Sequence, residues 1–328
     1  MKKKAISLIS GGLDSLLATK LIMDQGIEVI GISFLMQIAY KDICQMKSRI
    51  LGASKEINIV PCFFDISKEF LNVVKDPKYG YGAHINPCID CKILMLKHAK
   101  KIMEEKECGF IITGDVLGER PMSQTKYALD LIQRKSNVTD YLLRPLSALC
   151  LKPSLPEING IVKRDKLLDI KGRSRKKQFE LANKYKLSKF FAPGGGCLLT
   201  DINFSRRLTD LIKRNQDNVN NIELLKYGRH FRLDEFTKIV IGRNERENEI
   251  ILKLKKNEDI VFYTKDNPGP TALLKGKIIE KNIKKVAQFV IGYSKMATGV
   301  VEYYKDCCCK NVINVFGLEL FQMEKLKI

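Results

Sequence analysis

The chain has 328 residues, 45% of them hydrophobic, which is enough apolar material for two or three domains with cores of their own. The apolar run behind the basic residues Lys2 to Lys4 is too short and too broken for a secretory signal or a membrane span, and ten cysteines suit a compartment where thiols stay reduced, so a cytoplasmic protein is expected. Lys and Arg outnumber Asp and Glu by 57 to 37, a formal charge of +20 that favours a polyanionic partner such as nucleic acid.

In chain order, Ala5 to Ser10 reads as a buried strand that turns through Ser10-Gly11-Gly12-Leu13-Asp14-Ser15 into a helix over Leu13 to Gln25. Two glycines let the backbone approach a phosphate, and the N–H groups and positive end of the helix face it, so the loop is expected to hold a pyrophosphate. It lacks the Lys and the spacing of the G-x-x-x-x-G-K-[ST] loop. Strands over Glu28 to Phe34, Asn58 to Asp65 and Phe110 to Asp115 then alternate with helices over Ile43 to Ile57 and Ile89 to Glu105. This βαβ alternation predicts an α/β fold with a doubly wound, mainly parallel sheet and a ligand at the carboxyl ends of its strands. The Ser10 loop, Ser33 and Phe34, and Thr113-Gly114-Asp115 all fall at such ends.

After Tyr141 to Leu143, Pro145, Pro153 and Pro156 lead into a basic stretch, residues 163–189, where Arg173, Arg175, Lys176 and Lys177 are expected to meet RNA phosphates. Helical spacing covers Lys176 to Leu187, and the turn Pro193-Gly194-Gly195-Gly196 delivers Cys197. Phe204 to Arg214 reads as a helix and Asn215 to Asn221 as a linker. Beyond it, β-like runs at Phe236 to Ile241 and Asp259 to Tyr263 and a helix over Ile283 to Tyr293 predict a small α+β domain. The expected division is 1–200, a connecting helix and linker over 201–221, and 222–328. Cys307-Cys308-Cys309 reads as structural or incidental, because adjacent side chains do not easily converge on one tetrahedral ion.

Cys88 and Cys91 form a C-x-x-C interval as a helix begins, where the positive helix end favours thiolates. Together with Cys197 they make three thiols without a fourth, a poor match to a closed structural zinc site.

Ser10 to Ser15 resembles the SGGxDS signature of PP-loop ATP pyrophosphatases, which cleave ATP between the α and β phosphates. Thr113-Gly114-Asp115-Val116-Leu117-Gly118, Ser123-Gln124-Thr125 and Leu143-Arg144-Pro145-Leu146 extend the likeness, so that roughly residues 1 to 200 resemble the catalytic domain of the tRNA 4-thiouridine synthetase family. The resemblance implies an adenine nucleotide alpha hydrolase-like fold with ATP and Mg2+ as cofactors. It implies ATP contacts from Ser10, Gly11, Gly12, Asp14, Ser15, Ser33, Phe34 and Gly114, with Asp14 and Asp115 catalytic beside the metal. Cys88, Cys91 and Cys197 are similar to the three thiolates that hold a 4Fe-4S cluster in cluster-dependent tRNA thiolases, one iron staying open for hydrosulfide. A persulfide and disulfide route through Cys197 and one of the other two is the alternative.

Ile241-Gly242-Arg243-Asn244-Glu245-Arg246-Glu247-Asn248, followed by Asp266-Asn267-Pro268-Gly269-Pro270, is similar to the RNA-binding domain of NFACT proteins and puts Arg243 towards RNA. Nothing before the first strand matches the RNA-binding modules of bacterial synthetases, and no segment resembles their rhodanese domain. RNA capture is therefore expected from the C-terminal domain, and sulfur from sulfide or a cysteine desulfurase. The expected function is ATP-dependent tRNA thiolation to 4-thiouridine, with release of AMP and pyrophosphate. Thiolation to 2-thiouridine, a non-thiolating PP-loop ligase and a non-catalytic RNA-binding factor are the other readings.

Overall fold

The computed structural model describes residues 2–191, 196–305 and 309–328. Most of the glycine-rich turn before Cys197, and Cys307 and Cys308 of the cysteine triplet, lie outside the described residues. The chain forms two compact units, Met1–Thr200 and Asp201–Ile328.

The first unit alternates strands and helices: β1 (Lys4–Leu8), α1 (Leu13–Met23), β2 (Glu28–Leu35), α2 (Ile43–Lys55), β3 (Cys62–Asp65), α3 (Ser67–Lys75), α4 (Cys88–Glu105), β4 (Phe110–Ile112), α5 (Lys126–Lys135), β5 (Leu142–Leu143), α6 (Leu155–Ile158) and α7 (Lys176–Lys184). All strand pairs are parallel and the order is β3-β2-β1-β4-β5. β1 is the central strand, Ile6 lying opposite both Ile30 and Ile111. Helices cover both faces of such a sheet, which is why Ala5, Ile6, Phe110, Ile111 and Ile112 are all fully buried instead of alternating in and out. A fully buried ring such as Phe110 contributes about 2 kcal/mol. The third strand starts later than its β-branched run predicts, because Asn58 takes a left-handed turn at φ 57°.

The second unit contains α8 (Ile202–Lys213), α9 (Val219–Leu224), β6 (Arg229–Arg232), β7 (Lys238–Ile241), α10 (Glu245–Lys253), β8 (Ile260–Thr264), β9 (Ala272–Lys275), α11 (Glu280–Tyr293), β10 (Thr298–Tyr304), β11 (Lys310–Phe316) and α12 (Leu320–Glu324). Its six-stranded antiparallel sheet has the order β11-β10-β8-β9-β7-β6. Alternation sends Phe231, Ile239, Phe262 and Leu274 to the face packed by Phe289 and Val290 of α11. Val240, Val261 and Leu273 go to the other face, against Leu224 of α9 and Ile251 of α10.

The segment expected to be a connecting helix and linker packs instead within the second unit. Asn218 caps α9 by accepting a hydrogen bond from the Asn221 backbone at 3.0 Å, so a run of asparagines that reads as linker begins a helix. No helix among the described residues is long and apolar enough to cross a membrane.

Candidate active site

β1 and β4 are neighbours whose connections depart to opposite sides of the sheet order, so the crevice beyond their carboxyl ends is the switch point where α/β sheets bind ligands. Two loops meet there. Gly11 has φ +77°, and a Cβ on it would come within 2.8 Å of the Phe191 ring, while the Phe191 N–H donates to the Gly11 carbonyl at 3.0 Å. Gly114, after β4, lies so close to the first turn of α1 that a Cβ would sit 2.5 Å from the backbone of Asp14 and Ser15. Ser15 Oγ donates to the Gly12 carbonyl at 2.7 Å, and no side chain caps the start of α1, which leaves this helix end to a ligand.

A cavity of about 360 Å3 opens over these loops, within the range of small-molecule sites. Ser10, Gly12, Asp14, Ser15, Ser33, Phe34, Gly114, Asp115 and Cys197 of the predicted residues line it; Gly11 stands behind, against Phe191, and Cys88 and Cys91 are not part of the lining. Lys92, Arg120, Gln124, Arg175, Tyr40 and Phe191 line it as well. Of these, Gln124 belongs to the Ser123-Gln124-Thr125 segment, Arg175 to the basic stretch, and Arg120 stands two residues past the TGDVLG motif, while Tyr40 and Phe191 have no local cue. Lys92 follows the C-x-x-C interval, and that adjacency is the signal that points to it.

Asp115 is buried and accepts hydrogen bonds from Lys92, from Gln124 Nε2 at 3.2 Å and from Thr113 Oγ1 at 3.1 Å, with Arg144 Nε 3.8 Å away. Burial alone raises a carboxyl pKa, but the charges of Lys92 and Arg144 and these hydrogen bonds overcome it and bring Asp115 to about 2. A carboxylate so engaged holds Lys92 and Gln124 in place at the cavity. Asp14 differs. Burial raises its pKa, only partly opposed by Arg175, whose Nη2 lies 3.0 and 3.1 Å from the two carboxylate oxygens.

The residues expected at RNA divide. Arg175 turns into the cavity and also approaches Glu119 at 3.7 Å, so it faces the nucleotide loop and not an outer surface. Arg173 and Lys176 are exposed, Lys177 pairs with Asp169 at 2.7 Å, and Arg243, just before α10, is held by Glu247 of that helix at 2.9 Å.

Cys91 Sγ lies 3.8 Å from Met36 Sδ. Burial pushes its thiol up, as would charge on Cys197 or Cys88, and burial pushes Cys197 up to about 11 with Cys88 adding to it. Burial also raises Cys88 against the pull of Lys92 and Arg120, so desolvation outweighs the helix end that was expected to favour thiolates. The three thiols thus share one electrostatic neighbourhood. Among the described residues no group of three or more His, Cys, Asp or Glu could hold a metal ion, which speaks against a single-ion site. A 4Fe-4S cluster takes its thiolates on separate irons, so its cysteines need not converge on one point, and three neighbouring soft donors fit it.

An open parallel sheet with a glycine-serine loop at its switch point defines a nucleotide-binding domain of the doubly wound class. Residues 1–152 match the family described as thiamine biosynthesis protein (ThiI), and residues 228–310 match the NFACT protein RNA binding domain. A protein of Thermococcus kodakarensis described as a "probable tRNA sulfurtransferase" is 32% identical over 151 residues, 44% of this chain; the chain spans only 37% of that relative's length. Among solved structures, a 4-thiouridine synthetase–RNA complex with bound ATP is 21% identical with a TM-score of 0.36, over 56% of this chain and 51% of that one. The U34-tRNA thiolase NcsA of Methanococcus maripaludis with its 4Fe-4S cluster is 15% identical with a TM-score of 0.35, over 69% of this chain and 71% of that one. The resemblance to a PP-loop synthetase domain followed by an NFACT-type domain is borne out by the family matches.

Proposed function

We propose that the chain is an ATP-dependent tRNA sulfurtransferase that converts a uridine to 4-thiouridine. The observation that carries this reading is that one cavity is lined at once by the phosphate loop, by Ser33 and Phe34, and by Cys197. ATP lies with its phosphates on Ser10 to Ser15 and its adenine at Ser33 and Phe34. Asp14 would hold Mg2+, which would offset phosphate charge, and Lys92, Arg120 and Arg175 face that charge as well. The O4 oxygen of uridine attacks the α phosphorus and pyrophosphate leaves. Hydrosulfide then adds to C4, AMP departs with the oxygen, and a proton is lost to give the thiocarbonyl. Cys88, Cys91 and Cys197 would hold a 4Fe-4S cluster, which supplies an open iron that presents hydrosulfide. tRNA capture falls to the second unit, a reading supported by the match of residues 228–310 to an RNA-binding family.

The test is product analysis on the full chain purified without oxygen and given Mg-ATP, sulfide and unmodified tRNA. AMP, pyrophosphate and 4-thiouridine are expected, and Asp14→Ala should abolish all three. ADP as product removes the pyrophosphatase reading, and 2-thiouridine replaces the assignment to C4.

A further inference from the structure

One face of the sheet in the second unit gathers positive charge around the buried Lys238. β6 and β7 pair with Arg232 opposite Lys238, and this face of the sheet meets α8 and α9. From α8, Asp210 binds Arg232 and, at 2.6 Å, Arg214. Arg207 of the same helix gives its Nη1 to the Leu225 carbonyl at 3.0 Å. Lys275 is neutralised by Asp259 at 2.6 Å, so it brings no surplus. Asp210 is thus shared by Arg232 and Arg214, Arg207 also feels the charges of Asp201 and Glu247, and Lys238 is left without a carboxylate partner of its own among the described residues.

These cations still have donors to give. Nε of Arg207, Nε of Arg214, and Nε and Nη1 of Arg232 are buried with no hydrogen-bond partner among the described residues. Lys238 is 5% exposed, and its ammonium makes no hydrogen bond or ion pair among the described residues. It lines a cavity of about 280 Å3 together with Asn215, Gln216, Asn218, Lys256 and the Lys275–Asp259 pair, with Glu258 exposed at the rim, while Arg207, Arg214 and Arg232 stand outside the lining. Burial, then the charges of Arg232, Arg207 and Lys275 against that of Asp210, bring Lys238 down to about 7. Buried charges are ordinarily paired, and unpaired buried donors are rare.

We propose that this cavity seats a phosphate group, either one in an RNA backbone or one free in solution. Lys238 supplies the charge, and the amides of Asn215 and Asn218 with Lys256 supply further donors at the mouth. The seat lies partly on α8 and α9, which precede the segment matched to the RNA-binding family, and no step of thiolation depends on it.

The test uses the full chain with the nucleotide loop of the first unit filled by a non-hydrolysable ATP analogue, so that added inorganic phosphate reports on the second unit. Phosphate should raise the melting temperature of the natural protein. Lys238→Met should melt higher than the natural protein in phosphate-free buffer, because a surplus buried charge is gone, and should lose the phosphate-induced rise. Asn218→Asp keeps a good helix cap and places a negative charge at the mouth, so it should fold normally and also lose the rise. About tenfold weaker tRNA binding by both variants assigns the seat to an RNA phosphate, and unchanged tRNA binding assigns it to free phosphate. The proposal is overturned if phosphate does not shift the natural protein, or shifts it and both variants equally.

Discussion

Asp14 and Asp115 face one cavity with opposite electrostatic histories, and the difference can be measured. The pKa of Asp115 is depressed, so its contribution to stability is complete above the unfolded value of 3.8 and is lost as pH falls towards about 2. Asp115→Asn should remove that acid-dependent fraction, about 2 kcal/mol, and flatten the fall in stability of the first unit between pH 4 and pH 2 in urea titrations. At neutral pH the same variant strands Lys92 without its partner and should cost on the order of 3 kcal/mol. An unchanged acid profile would show that Asp115 is not held ionised by Lys92 and Arg144. Sequence reading finds the members of this site that lie in local motifs, Ser10 to Ser15 and Thr113 to Asp115, because their chemistry is written in consecutive residues. Arg175 and Tyr40 join them only through tertiary packing, and no spacing announces that. The same limit explains Arg175: a basic run looks alike whether its members face solvent or turn inward.

At the scale of elements, βα alternation is legible because buried parallel strands are unbroken apolar runs and the helices between them carry a 3.6-residue period. α3 and α5 escape such a reading, being short and set among polar or aromatic residues. So do β6 and β9, which are only four residues long, and β10 and β11, a hairpin whose strands are interrupted by polar residues. Asn215 to Asn221 misleads because helix capping and linkers draw on the same residues. Two glycines test how far backbone packing governs the nucleotide site. Gly114→Ala forces a methyl against the first turn of α1 and should cost about 1–3 kcal/mol while weakening ATP binding, read by thermal melts with and without nucleotide. Gly52→Ala, inside α2 with nothing near the added atom, should stabilise by about 0.5–1 kcal/mol and leave ATP binding alone. Equal effects of the two would mean that the approach of the loop after β4 to α1 does not shape the site.

The whole molecule is two units with separate cores, and the boundary between Thr200 and Asp201 places α8 and α9 with the second. A chain ended at Thr200 should therefore keep ATP affinity and lose most tRNA affinity, measured by filter binding over a range of salt. Undiminished tRNA binding would move RNA capture to the basic stretch of the first unit. The sheet order of the first unit also bears on how the protein is made. Ile6 of the central strand is paired by Ile30 almost at once, but its other neighbour, Ile111, is synthesised roughly 5–20 s later at ordinary translation rates. Until then the central strand of the domain has one open edge, and the loop between β1 and α1 lacks the Gly114 turn that packs against it. Folding of the nucleotide site is thus a late event built from distant contacts, slow by the measure of contact order. Synthesis without a holding chaperone is when this domain is most exposed to aggregation.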